Sequence, residues 1–285
     1  MSNTSSTSST SSTSSTSSTG SAAGGDGTFP DRLDFPFVSE DDPLDAGKPL
    51  AALLLDPGQE FKPRDWSSDW LSWLVLIEFS ATGWKGAPDK DVFADWTKDA
   101  GDLRKEIATL VRYAEDERPD ALGEILAQDG GFVPEFQNLL GITPAGYPAT
   151  CAAMAAAGLV SGFVVLHFKA EFQRPRPSRL APALRPPLPP PGHASFPSGH
   201  AMQAWMMAQT ASDARGAGPD GQPGTIASAL FALAGRIARN REIAGLHYPS
   251  DSAASKKLAK CMYPLLRQTQ RFDKLMQAAQ AEWRA

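Results

Sequence analysis

A chain of 285 residues with 42% apolar and 21% charged residues has the material for a sizeable core, in one large domain or two small ones. Its net charge of −5 excludes a general nucleic-acid binder, which needs a broad basic face, but leaves room for a local basic pocket. The two cysteines, Cys151 and Cys261, lie in no Cys-x-x-Cys pattern and no His-Glu-x-x-His is present, so no zinc signature appears and both read as buried thiols.

Residues 1–27 are a Thr-Ser-Ser repeat followed by a glycine-rich stretch, a composition that buries no apolar area and predicts a disordered tail. They lack the basic start and apolar run of a secretory signal, so the default expectation is a soluble, cytoplasmic protein. Residues 28–63, punctuated by proline and aspartate, read as an extended lead-in, and residues 64–285 as one helical domain. Trp70, Trp73, Leu74 and Ile77 recur at helical spacing, as do Leu103, Ile107, Leu110 and Val111; Leu122, Ile125 and Leu126 suggest a helix opened by Pro119-Asp120. The tryptophans at 66, 70, 73, 84 and 96 fit packing between helices better than a ligand-stacking surface.

Cys151 to Phe168 is long and apolar enough to raise a membrane-spanning reading, yet it runs straight into Lys169 and better fits the buried helix of a bundle. Helices are then predicted at about 200–212, 225–244 and 249–268, with a last one ending near Trp283. Period-two strand patterns are scarce, so the expected fold class is all-α, a single bundle-like domain. Between the Lys169 and His200 helices, nine prolines rule out helix through most of Arg174–Pro197. That stretch reads either as a stiff connector or, through Arg174, Arg176, Arg179 and Arg185, as a rigid basic lip over a pocket.

Three segments carry groups suited to oxyanion chemistry, and each has a plainer reading alone. Lys169, at a helix end, and Arg176, opening an extended stretch, can converge on one anion, or can be ordinary solvated cations. In Pro197-Ser198-Gly199-His200, Ser198 suits an N-cap and Gly199 a close backbone approach to a ligand, or the segment is only a capped helix. In the third, Arg241 precedes His247, and Asp251 lies four residues further on. Its carboxylate can hold one ring nitrogen and leave the other free, or the two can form a surface pair at a helix start.

Taken in order, Lys-x6-Arg-Pro, Pro-Ser-Gly-His and Arg-x5-His-x3-Asp resemble the type 2 phosphatidic acid phosphatase and vanadium haloperoxidase superfamily, over a motif core of residues 169–251. One position departs: the residue before Arg241 is Asn240 where the family usually has serine, although an amide can still donate a hydrogen bond. The resemblance implies an all-helical bundle in which His247 attacks phosphorus, Asp251 fixes its tautomer, and His200 acts as acid and base. It implies that Lys169, Arg176, Ser198, Gly199 and Arg241 bind the non-bridging oxygens, with His193 and Asn240 as accessory candidates and no metal.

The activity so implied is a metal-independent phosphomonoesterase of the acid-phosphatase type, with a phosphohistidine intermediate and no cofactor. The alternative is a haloperoxidase with vanadate as cofactor on His247. The spacing of 41 positions between His200 and Arg241 resembles the compact phosphatases, while His193 resembles the histidine at the matching position of algal bromoperoxidases. A third reading is a phosphate- or lipid-binding module without turnover. The expected partner is a small phosphorylated substrate, with no nucleic acid and no membrane insertion; a homo-oligomer is compatible with the sequence.

Overall fold

Ser198 and Asp99 show how this chain starts its helices. The Asp99 carboxylate accepts from the amides of Gly101 and Asp102 at 2.8 and 3.0 Å, capping a helix over Ala100–Asp116. The computed structural model describes residues 60–62, 66–94, 96, 99–216 and 224–284. The predicted tail and nearly all of the lead-in therefore lie outside the described residues. Residues 68–284 belong to one unit; in another, which includes Phe61 and Trp66, those two rings meet edge-on.

The larger unit is all-α, with no strand among the described residues. Its helices are α1 Ser68–Ser80, α2 Ala100–Asp116, α3 Arg118–Gly130, α4 Val133–Leu140, α5 Pro148–Phe172, the single turn α6 Pro177–Leu180, α7 Gly199–Arg215, α8 Thr225–Ile243, α9 Pro249–Arg267 and α10 Gln270–Glu282. The apolar 25-residue α5 is the central rod, flanked by α1, α7 and α10, while α7 also packs on α8 and α9. Among the described residues its region alone is long and apolar enough to cross a membrane; 67% of the most apolar window is buried inside the unit. Its small residues permit close approach: a Cβ on Gly158 would lie 2.5 Å from the Met207 methyl on α7.

One core joins α1, α5, α7, α9 and α10, and a second joins α4, α5, α7 and α8. Two expectations need correction. The α1 helix is present, but Trp70, Trp73 and Ile77 face outward, with Trp70 62% exposed, while Val75, Leu76 and Phe79 enter the core. The helix is apolar all round, so periodicity alone does not say which face meets α5. Trp84 is the tryptophan that packs inside, against Phe79, Phe163 and Phe168. Likewise Cys151 and Cys261 are free thiols but only half-buried.

Helix ends, rather than helix faces, build the site. The α5 helix stops where Gln173 turns left-handed at φ 52°, immediately before the proline-rich stretch. The α8 helix stops at a turn in which Gly245 takes φ 72° and the Arg241 carbonyl accepts from the Leu246 and His247 amides. Pro249 then opens α9 at its first turn, and the Asp251 carboxylate accepts from the Tyr248 amide at 3.1 Å. Ser198 caps α7, its hydroxyl 3.5 Å from the Ala201 amide. Two helix C-termini carrying cations thus meet two helix N-termini whose first amides lack intrahelical partners.

Candidate active site

His247 is buried, with Nδ1 3.0 Å from Asp251 Oδ2 and Nε2 3.4 Å from Arg176 Nη1. Asp251 is fully buried, and burial alone would raise its pKa. The hydrogen bond from His247, the Arg174 charge and the Ser195 hydroxyl overcome that and hold it below the usual carboxylate range. An ionised Asp251 accepts from Nδ1–H, which leaves the lone pair on Nε2, facing the cations. Burial pushes His247 well below the ordinary histidine value, with Arg176 and Lys169 adding to the effect against the Asp251 hydrogen bond, so the ring is neutral at neutral pH.

Lys169, Arg176 and Arg241 are all buried. The Lys169 ammonium donates to the carbonyls of Ala194 and Ser195, both at 2.7 Å, and Arg176 donates to the carbonyls of His193 and Leu246 at 3.1 and 2.8 Å. These bonds fold the proline-rich stretch back over the end of α5. Burial lowers both arginines to about 10, still cationic at neutral pH, and drives Lys169 well below its ordinary value with help from the Arg176 charge. Each cation is disfavoured by desolvation, an imbalance that a bound anion reverses.

Two unsatisfied groups complete the picture. Arg241 Nη2 donates to the Ile125 carbonyl at 2.6 Å, but its Nε and Nη1 are buried without a hydrogen-bond partner. His200 Nε2 is in the same condition, and its ring lies 5.5 Å from that of Phe132. Burial, then the charge of Arg241 and more weakly those of Arg176 and Lys169, lowers His200 to about 3. Buried polar atoms are nearly always paired, so orphaned ones among buried cations mark a candidate place for a ligand.

The residues named from sequence are distributed as follows. Lys169, Arg176, His193 and His247 share one hydrogen-bonded network, with His193 Nδ1 3.2 Å from Arg176 Nη2. His200 lies within the field of Arg241, Arg176 and Lys169, and Ser198 and Gly199 start the helix that carries it. Asn240 does not join: its amide donates to Glu124 and Gln128 on α3 at 2.9 and 3.0 Å, so both hydrogens are turned away from the site. The basic lip also needs correction. Arg174 is buried, donating to Asp251 Oδ1 and Ser250 Oγ at 2.6 Å each and to Glu106 Oε2 at 2.5 Å, above the Tyr248 ring. Arg176 points inward as well, which leaves Arg179 and Arg185 exposed.

Three further groups had no signal in the sequence. Ser195 donates to Asp251 Oδ2 at 2.5 Å, and Glu106, on α2, accepts from Arg174 and, through its other oxygen, from the Ser250 amide at 2.9 Å. Asp129, at the end of α3, lies 3.5 Å from Arg241 Nη1. Among the described residues no group of three or more His, Cys, Asp or Glu is placed to hold a metal ion.

The fold thus gathers cations and histidines at four helix ends of an all-α domain. The family model described as the PAP2 superfamily matches residues 149–272, from the start of α5 into α10, so this segment is similar to that superfamily. No curated protein matches the chain. Members of that superfamily are generally phosphatases or phosphoesterases, and the match suggests activity of the phosphatase-type hydrolase class.

Proposed function

We propose that the protein hydrolyses small phosphomonoesters through a phosphohistidine on His247, without a metal ion. The observation that carries this is the pairing of an oriented, neutral His247 with the orphaned Arg241 donors and the unpartnered Nε2 of His200 among buried cations. Lys169, Arg176 and Arg241 bind the non-bridging oxygens, joined by the first amides of α7 after Ser198 and Gly199, and spread the charge that grows in the transition state. The Nε2 lone pair of His247 attacks phosphorus; the bond to the ester oxygen breaks, and that oxygen leaves with its electron pair and a proton from His200. Water then attacks phosphorus, giving a proton back to His200, and the bonding pair returns to His247 Nε2. The products are the alcohol and inorganic phosphate. His200 is neutral in the free protein, so its proton arrives with a monoanionic substrate, or is gained when the bound anion cancels the nearby cations.

The same donors fit vanadate, a tetrahedral oxyanion, which when held at His247 supplies peroxide activation for halide oxidation. His193 against Arg176 is the contact that favours this second reading. The test is p-nitrophenyl phosphate hydrolysis in the presence of a chelator, beside bromide oxidation by vanadate-loaded protein with peroxide. Phosphate release that survives the chelator, is inhibited by vanadate, and falls about a thousandfold or more in His247→Ala supports the proposal. Turnover retained in His247→Ala refutes the nucleophile; bromide oxidation moves the assignment to the peroxidase.

A further inference from the structure

We infer that the leaving-group side of the site is acidic and selects phosphomonoesters of short amino alcohols, with Asp129 as the specificity-determining residue. The inference rests on the phosphatase reading above. A general acid must reach the leaving oxygen, so that oxygen lies beside His200. The Phe132 ring lies 5.5 Å from that of His200, and Asp129, in the last turn of α3, stands three residues before Phe132 in the chain. The Asp129 side chain is 49% exposed, and its Oδ1 is 3.5 Å from Arg241 Nη1.

Arg241 ties the two parts together. It is buried, one of its nitrogens is fixed on the Ile125 carbonyl, its Nε has no hydrogen-bond partner and is open to a phosphoryl oxygen, and its Nη1 faces the Asp129 carboxylate. Asp129 therefore stands one guanidinium away from the phosphoryl group, at the solvent edge. An ammonium a short spacer beyond the ester oxygen reaches this carboxylate, while a second phosphate or a carboxylate there meets like charge. Glu135, on the first turn of α4, adds to the same field at Arg241. The ring of Phe132 supplies an apolar side for the methylenes between. The reaction is the hydrolysis already written, with the amino alcohol as the departing group; its ammonium lowers the basicity of the leaving oxygen.

The experiment compares kcat/KM, by release of inorganic phosphate at pH 7, for O-phosphoethanolamine, propyl phosphate and phosphoglycolate. The expected order is amine, then neutral, then acid. Asp129→Asn acts on Arg241 for all three substrates, so the readout is their ratio; the amine-to-acid ratio should fall roughly fivefold, the range of an exposed ion pair. In the wild-type protein the same ratio should shrink as salt rises, a check that needs no variant. A ratio unchanged by both Asp129→Asn and salt, or a preference for phosphoglycolate, overturns the subsite and leaves the phosphatase standing. No phosphate release from these three or from p-nitrophenyl phosphate overturns both.

Discussion

Arg174 offers the sharpest test of how the His247–Asp251 pair is held. Its guanidinium joins Asp251 to Glu106, a residue of α2 that lies outside the segment matching the family. Replacing Arg174 by methionine keeps most of the volume but strips a partner from Asp251, which is fully buried, and from Glu106, whose side chain is 17% exposed. Breaking a buried pair from one side costs about 3–5 kcal/mol, a large share of the usual margin of about 5–15 kcal/mol. Glu106→Gln alone should cost about 1.5–3 kcal/mol, since an amide oxygen still accepts from Ser250 or Arg174. In the Arg174→Met background Glu106 is an acid without its cation, so neutralising it should cost little. Urea unfolding of the wild type, both single variants and the double variant should then give a coupling of about 1–3 kcal/mol. A Glu106→Gln cost that is the same in both backgrounds, within about 0.5 kcal/mol, would show that Arg174 and Glu106 do not act as a unit and refute the reasoning.

Stability should also fall as pH is lowered from about 6.5. His200, lowered to about 3, and His247, well below its ordinary value, stay neutral while the unfolded chain takes up protons near 6.5. The stability they contribute is therefore complete above that value and lost toward the folded pKa at up to about 1.4 kcal/mol per pH unit for each. Thermal melts between pH 7 and 4.5 check this, with inorganic phosphate expected to restore part of the loss; a flat profile counts against the buried neutral rings. At the α5–α7 contact, Gly158→Val should destabilise by about 1–3 kcal/mol through overpacking, and Met207→Ala should recover part of it by removing the methyl that the new side chain meets. Equal losses with and without Met207 would place the strain elsewhere.

Much of the site was legible because it is local. Ser198 before a helix, Pro249 at a first turn and Asp251 four residues after His247 are placed by the backbone within a turn or two, so residue type and spacing alone predict their geometry. Lys169 and Arg241 were legible for a related reason: each falls in the last turn of its helix, and the chain's own breaks, Gln173 and Gly245, set where those helices end.

Tertiary structure decided which neighbours these groups meet. Asn240 looks like a donor for the site, yet α3 packs on α8 and offers Glu124 and Gln128 to its amide first. Arg174 reads as a surface cation among prolines, but Ser195 donates to its carbonyl and Glu106, Ser250 and Asp251 surround its guanidinium, so it turns inward. Asp129 carries no motif and gains its place only because the end of α3 lies against Arg241. The length and apolar character of a helix follow from its own residues. Which of its faces is buried, and which distant side chain completes a charged group, depend on packing between segments far apart in the chain, as the outward Trp70 and inward Phe79 of α1 show.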